Sequence, residues 1–194
     1  MFEPYFKKAR KFIFDPKQVF KKEGNSNLEY SFKYMIIIGL VTAIITTVIA
    51  IVAEPALAVW GAVNFVGYYI ALIVGFFIGG IWLHLWVYIF GGRKGLEQTL
   101  KIMAFGGTPG YLFAWISSLV ALVALSEFIY MITSLIAVVI FVWQLGLYYH
   151  GIKTFHKLGK ERTTAALIIY LIPVLILILG LTVVLPSTTT FFTI

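Results

Sequence analysis

AVNFVGYYIALIVGFFIGGIWLHLWVYIF, residues 62–90, contains no Asp, Glu, Lys or Arg and is followed at once by Gly91, Gly92, Arg93 and Lys94. A helix needs about 20 predominantly apolar residues to cross the hydrocarbon core of a bilayer. The stretch therefore predicts a transmembrane helix. Because it is longer than a crossing requires, we expect this helix to tilt, bend or extend beyond the bilayer.

Four more apolar stretches of similar character share the chain with this one: residues 34–53, 109–125, 128–149 and 163–185. The whole chain is 61% hydrophobic, whereas soluble domains are about half apolar. We therefore predict an all-α, polytopic membrane bundle of five transmembrane helices with short amphipathic helices beside it. The predicted divisions are an N-terminal segment, a transmembrane domain and a tail, over residues 1–33, 34–185 and 186–194.

The fifteen Lys and Arg residues fall only in alternate connections. Eight precede the first stretch, three follow the second and four follow the fourth, while the connections 54–61 and 126–127 and the tail have none. Lys and Arg are retained in cytoplasmic loops, so this bias predicts the N-terminus inside and the C-terminus outside. We attribute the net charge of +7 to this topology and to anionic lipid headgroups, and not to nucleic acid.

The basic connections also carry amphipathic patterns. Near the N-terminus Phe2, Tyr5, Phe6, Ala9 and Ile13 recur at helical spacing opposite basic residues, which predicts a helix suited to the headgroup layer. Asp15-Pro16 predicts the start of a second helix, and Ser26 with Glu29 predicts a capping box for the first transmembrane helix. These N-terminal helices either pack on the end of the bundle or form a docking surface.

A further interfacial helix is predicted over residues 96–104, ending at Gly106-Gly107, with its charged side toward water. Together the basic segments define a candidate surface for lipid or partner binding. Its residues are Lys7, Lys8, Arg10, Lys11, Arg93, Lys94, Lys101, Lys153 and Lys157.

Small residues recur every four positions in two of the predicted transmembrane helices. The two ladders are Gly67, Ala71, Gly75 and Gly79, and Gly106, Gly110, Ala114 and Ser118. Helices in membranes associate by close packing at small residues. We therefore predict that the second and third transmembrane helices pack along these ladders; the alternative role is self-association into a homo-oligomer.

No catalytic residue, metal site or cofactor is predicted. His84, His150 and His156 share the predicted inside with Glu97, but their spacing matches no metal-ligand motif. The serines at 117, 118 and 126 lie on the opposite side from all three histidines, so a nucleophile with its base is not expected. There is no cysteine, which excludes disulfides and thiol chemistry. The chain is therefore expected not to be an enzyme.

The order of these features resembles the Yip1-domain family of small five-span membrane proteins, in its prokaryotic form. The resemblance rests on Phe14-Asp15-Pro16 with Val19-Phe20, Gly91-Gly92, residues 96–100 and 104–109, residues 143–151, and Thr164-Ala165-Ala166. It implies a helical membrane bundle with a cytoplasmic N-terminal region. Eukaryotic members act in vesicle traffic and bind prenylated Rab GTPases, and they carry an Asp-Leu-Tyr-Gly-Pro motif that this chain lacks.

Two functions follow as expectations. The first is a non-enzymatic, multi-pass integral membrane protein, in the cell membrane if prokaryotic, that organises the membrane or recruits a peripheral or membrane protein partner, or anionic lipid, at its basic face. The alternative is a transporter or channel for a small molecule, ion or lipid. The alternative predicts a hydrated cavity lined by residues such as His84, Asn64 or Gln144.

Overall fold

The computed structural model describes residues 2–53, 58–123 and 127–188, and the regular secondary structure in those residues is entirely α-helical. Nine helices lie in these ranges: α1 (Glu3–Phe14), α2 (Pro16–Glu23), α3 (Leu28–Ala53), α4 (Ala58–Ile89), α5 (Leu96–Gly106), α6 (Thr108–Phe113), α7 (Trp115–Val123), α8 (Glu127–Phe155) and α9 (Lys160–Thr188). The short helix α5 packs against α3, α4 and α8, and α9 packs against α4 and α8.

In the residues that the structure describes, each of the five predicted transmembrane stretches is helical over nearly its whole length. The third is not one continuous helix, because α6 and α7 meet at Ala114. Within the described residues, three helices are long and apolar enough to cross a membrane, judged on length and composition: Leu28–Ala53, Gly61–Ile89 and Met131–Phe155. The all-α fold is thus confirmed, with three helices that could span a membrane, while the five crossings and their orientation stay predictions. Residues 54–57 and 126 of the connections without Lys or Arg, residues 124–125 of the third stretch and residues 189–194 of the tail lie outside the described residues.

The buried core lies at the end of the bundle where α1, α2 and α5 meet the long helices. Its largest fully buried side chains include Phe12, Phe20, Tyr34, Phe105 and Ile152. Farther along the same long helices, apolar side chains are exposed: Val48 and Val52 on α3, Val63, Val66 and Ile70 on α4, and Leu135 and Val138 on α8. Lipid tails solvate such side chains as well as a protein interior does, so this part of the bundle is suited to the bilayer.

The helix starts follow local capping chemistry. Asp15 accepts a hydrogen bond from the backbone N–H of Gln18 at 3.3 Å, as expected for the N-cap of a helix that begins at Pro16. The capping box predicted at Ser26 is wrong, since the side chain of Asn27 accepts from the Tyr30 N–H at 2.8 Å instead. The Ser26 hydroxyl donates to the Glu23 carbonyl at 2.8 Å and so closes α2.

Helix α5 differs from its prediction. It ends at Gly106 as expected, but it does not lie on the water-facing surface. Residues 99–106 are all buried, because α3, α4 and α8 cover the helix on several sides. A helix that sits among its neighbours uses its polar residues to bond with them, and this changes the role of Lys101 described below.

The prediction that the two glycine ladders pack against each other is wrong. A Cβ added to Gly67 or Gly75 would meet nothing within 4 Å, and Ala71 is exposed. Gly79 instead faces Met103 of α5 and Tyr170 of α9. The second ladder turns toward α8: a Cβ on Gly106 would overlap the Tyr148 ring, and one on Gly110 would lie 3.0 Å from Gln144 Oε1, while Ala114 is exposed.

Close helix contacts in this bundle occur at other small residues. A Cβ on Gly39 of α3 would come within 2.9 Å of Leu72 on α4, and one on Gly80 of α4 would come within 2.5 Å of Leu100 on α5. Helices therefore do associate here by close packing at small residues. The helix pairs in contact are α3 with α4, α4 with α5, and α5 with α8.

Candidate functional site

The α1–α2 hairpin, residues 3–23, is packed on the end of the bundle by buried aromatic side chains, and Phe12 is the one that fixes α1. Phe12 is fully buried and stacks on Phe105 of α5, with ring centroids 5.0 Å apart and planes 20° apart. Its edge contacts Phe20 at 5.0 Å, and the Tyr34 ring lies 5.9 Å away. Such aromatic contacts add to the free energy of burying the ring itself. The hairpin is therefore part of the folded core.

Hydrogen bonds extend this contact into the bundle. The Thr108 hydroxyl donates to the Phe105 carbonyl at 2.5 Å, so its oxygen is left to accept from the Tyr34 hydroxyl at 2.7 Å. Both side chains are fully buried. The start of α6 and the first turns of α3 are thereby joined directly behind the ring that holds α1.

A second aspect of α1 stays exposed. Phe2 and Phe6 are 51% and 42% exposed, and they lie beside the buried side that contains Ala9 and Phe12. Arg10 and Lys11 are exposed as well. The predicted amphipathic pattern is thus divided, since part of the apolar side packs on the bundle and part remains available to a lipid surface.

Lys8 and Lys101, two of the residues predicted to bind lipid or a partner, instead contact other elements of the fold. Lys8 forms an ion pair with Glu23 at 2.6 Å and lies 4.1 Å from the centroid of the Tyr30 ring, so it joins α1 to α2 and α3. Lys101 is only 2% exposed. Its ammonium donates to the Ser26 carbonyl at 2.5 Å and forms an ion pair with Glu97 at 3.2 Å.

The assignment of Lys101 to the water-facing surface is therefore corrected. Its helix is enclosed, so the ammonium reaches the connection between α2 and α3, where backbone carbonyls at Gly24 and Ser26 are left by the end of a helix. A cation near the carboxyl end of a helix is also favoured by the helix dipole. This lysine holds the hairpin to α5 and is not free to bind lipid.

The other predicted cations are exposed. Lys7 pairs with Glu3 at 2.6 Å on the open side of α1, and the Arg93 guanidinium lies 4.2 Å from the centroid of the Tyr88 ring. Lys94, Lys153 and Lys157 are exposed, and Lys157 has a left-handed backbone with φ of 55°. Phe20 packs edge-on against Phe155 at 5.5 Å, so the α8–α9 connection lies beside the hairpin and these segments share one end of the bundle.

A buried polar chain that the sequence did not predict joins three elements. The Thr99 hydroxyl lies 2.9 Å from His84 Nδ1 and 2.9 Å from His156 Nε2. A hydroxyl has one proton, so it donates to one imidazole and accepts from the N–H of the other. Burial, reinforced by the nearby His84, lowers the pKa of His156 to about 4. His156 is therefore neutral at pH 7.

The three histidines do not form one cluster, because only His84 and His156 share the contact with Thr99. His150 lies against Tyr149, with ring centroids 5.6 Å apart, and not beside the Thr99 chain. In the parts of the chain that the structure describes, no group of three or more His, Cys, Asp or Glu residues could hold a metal ion. The two hydrogen bonds of Thr99, to His84 and to His156, connect α4, α5 and the end of α8. These residues therefore have a structural role.

The chain matches the family model of the Yip1 domain over residues 10–182. Neither the curated proteins nor the solved structures gave a match. The matched range includes most of the α1–α2 hairpin, the enclosed helix α5 and the long apolar helices. This chain therefore belongs to the Yip1-domain family and is a membrane protein of all-helical fold.

Proposed function

We propose that the protein is a non-enzymatic, multi-pass integral membrane protein that binds anionic lipid or recruits a partner protein at its basic end. In a prokaryotic cell it would lie in the cell membrane with the basic end in the cytoplasm. The observation that supports this most is the division of α1. Phe12 and Ala9 fix the helix to the bundle, while Phe2, Phe6 and the neighbouring cations remain exposed.

This arrangement combines the two contributions to the free energy with which a helix binds an anionic surface. Exposed phenylalanines supply apolar burial in the headgroup layer, and each nearby Lys or Arg adds about 1 kcal/mol of electrostatic attraction. Because the helix is already folded against α3 and α5, its backbone is ordered before binding, and only its exposed side chains lose conformational freedom. The hairpin is thus suited to holding lipid or a peripheral protein at the membrane.

The buried polar chain supports a non-enzymatic role. A hydroxyl between two imidazoles resembles a nucleophile with its base. Thr99, however, is fully buried, and His156 is 4% exposed, so a substrate has no access to the hydroxyl. Its two hydrogen bonds are better explained by the need to satisfy buried polar groups.

The transporter alternative receives less support. Its predicted cavity residues are separately engaged: His84 bonds to Thr99, and the Gln144 side chain donates to the Tyr148 hydroxyl at 2.6 Å. Asn64 is exposed on α4. Five pockets among the described residues are all lined by other side chains than these three.

The absence of cysteine makes site-specific labelling straightforward. Full-length Phe6→Cys protein would carry an environment-sensitive fluorophore in proteoliposomes with and without anionic lipid. We expect blue-shifted emission that grows with anionic lipid and decreases at high salt. Gln18→Cys, at an exposed position of α2 outside the predicted binding surface, is the matched control and should report water. Equal emission at both positions would contradict the proposed membrane contact.

Orientation has its own test. An impermeant maleimide should label Lys94→Cys only from the cytoplasmic side and Thr193→Cys only from the outside in intact cells. Labelling of both positions from the same side would refute the odd number of crossings on which the proposed cytoplasmic face depends.

A further inference from the structure

A second basic surface lies away from the exposed phenylalanines of α1. Helices α2, α8 and α9 surround a pocket of about 680 Å³ that is lined by Lys17, Lys21, His150, Lys153 and Lys160. We call it the α2–α8–α9 pocket. Its volume is within the range of about 300–1,000 Å³ that is usual for ligand sites. Only Lys153 among these residues belongs to the binding surface predicted from the sequence.

The charge of this pocket is uncompensated within the described part of the chain. No Asp or Glu there lines it, and the ion pairs found among the described residues use Lys7, Lys8, Lys33 and Lys101 instead. Four ammonium groups brought to one pocket repel one another unless an anion is present. The pocket therefore attracts a ligand of concentrated negative charge, such as a phosphate group.

The scaffold holds these lysines before any ligand arrives. Lys17 and Lys21 are one turn apart on α2, and that helix is fixed to α8 by the contact of Phe20 with Phe155 at 5.5 Å. A Cβ on Gly151 of α8 would approach Phe20 within 3.1 Å, so the two helices lie close together. Lys153 lies two residues after Gly151 on α8, and Lys160 is the first residue of α9.

An apolar stripe leads from the membrane to this pocket. Leu135, Val139 and Val142 are exposed along one side of α8, and Gly146 and Lys153 continue the same side. Val142 and Lys153 are about 16 Å apart along the helix axis, at about 1.5 Å per residue. That length is roughly half of the 30 Å hydrocarbon thickness of a bilayer. A headgroup held at Lys153 would thus place acyl chains beside Val142 and Leu135.

Gly146 leaves a gap on this stripe. A Cβ built there would meet nothing within 4 Å, so the backbone of α8 is open between the apolar side chains and the pocket. We propose that the α2–α8–α9 pocket binds the phosphate headgroup of an anionic membrane lipid whose acyl chains lie along α8 over Gly146. This inference rests on the proposed function and names one lipid site within it. The apolar stripe favours a lipid over a free phosphate ion.

The test compares two double variants of the full-length protein in a neutral detergent. Lys17→Gln with Lys153→Gln removes two pocket cations, and Lys22→Gln with Lys33→Gln removes two exposed cations outside the pocket. Binding of phosphatidylglycerol, of phosphatidylcholine with the same acyl chains, and of inorganic phosphate is measured by native mass spectrometry. We expect phosphatidylglycerol to bind about 25-fold more weakly to the pocket variant, at about fivefold for each lysine, and within twofold of wild type to the control.

The outcomes separate the two proposals. Equal weakening in both double variants would overturn the pocket and leave general attraction to the basic end intact. Equal binding of phosphatidylglycerol and phosphatidylcholine to the wild type would overturn lipid binding at the basic end as a whole. If inorganic phosphate displaces phosphatidylglycerol at similar concentration, the site binds a free anion and the lipid assignment is wrong.

Gly146→Leu supplies an independent arm, because it fills the gap on α8 without changing charge. We expect it to weaken phosphatidylglycerol binding at least fivefold and to leave binding of inorganic phosphate unchanged. Unchanged phosphatidylglycerol binding in this variant would refute the proposed path of the acyl chains.

Discussion

Replacing Phe12 by Ala should release α1 from the bundle, while α2, which Phe20 holds to α8, and the long helices stay folded. The ring is fully buried and contacts the rings of Phe20 and Phe105 at 5.0 Å each. Truncation of a buried phenylalanine to alanine costs about 3–5 kcal/mol. We take about 3 kcal/mol, since the hairpin lies at the end of the bundle where water or lipid can partly fill the space. That value corresponds to an increase of about 100-fold in the population of undocked α1.

Amide hydrogen exchange of the full-length protein in nanodiscs measures this population directly, because exchange follows local opening. Amides of α1, residues 3–14, should exchange about 100-fold faster in Phe12→Ala, and those of α4 should not change. Phe14→Ala is the matched control, since it makes the same substitution two residues away at a side chain that is 78% exposed. Equal protection of α1 in the two variants would refute the claim that Phe12 holds it to the bundle.

Three further predictions concern stability in detergent. Lys101→Met should lower the free energy of unfolding by about 1–3 kcal/mol, because buried carbonyls lose their hydrogen-bond donor. Lys94→Met is the control: it changes an exposed lysine and should leave the melting temperature within about one degree of wild type. The pKa of His156 is about 4 in the folded protein and about 6.5 in the unfolded chain. Its contribution to stability is therefore fully present above pH 6.5 and is lost as the pH falls toward 4, by up to about 3 kcal/mol. Urea titrations across this range should show this decrease in the free energy of unfolding, and His156→Gln should make it smaller. Gly106→Leu should destabilise the bundle by several kcal/mol, because even a Cβ would overlap the ring beside it, while Gly67→Leu should be nearly neutral; equal melting temperatures would contradict the observed packing.

The helices could be predicted from the sequence, and their partners could not. Long uncharged stretches identify α3, α4 and α8 because crossing a bilayer requires both length and apolarity. Which side of each helix faces its neighbours is a different matter, since hydrophobicity does not distinguish a side chain in lipid from one in the protein interior. The glycines at 67 and 75 illustrate this, because their spacing matches a packing motif although both face open space.

The position of α5 could not be predicted for a related reason. Its charged residues indicate a helix at the water surface, yet Lys101 is buried and its ammonium contacts backbone carbonyls inside the fold and the exposed Glu97. Thr99 likewise gives no signal, because a lone threonine in a mixed helix has many uses. Only the fold places it between His84 and His156, which are far apart in the sequence from each other.

The pairing of charges is the part of the candidate site that local sequence carries best. Three of the four ion pairs in the described residues join a glutamate to the lysine four positions later: Glu3–Lys7, Glu29–Lys33 and Glu97–Lys101. This is the favourable helical order, so the spacing by itself excludes those lysines from the free cations. Lys17, Lys21, Lys153 and Lys160 have no carboxylate three or four positions away on either side, and these are the lysines that the fold gathers into one pocket. Lys8 and Lys22 also lack such a carboxylate, yet Lys8 pairs with Glu23 of the neighbouring helix and Lys22 does not line this pocket. Local spacing thus removes some lysines from the candidates, and only the fold shows which of the remaining ones meet.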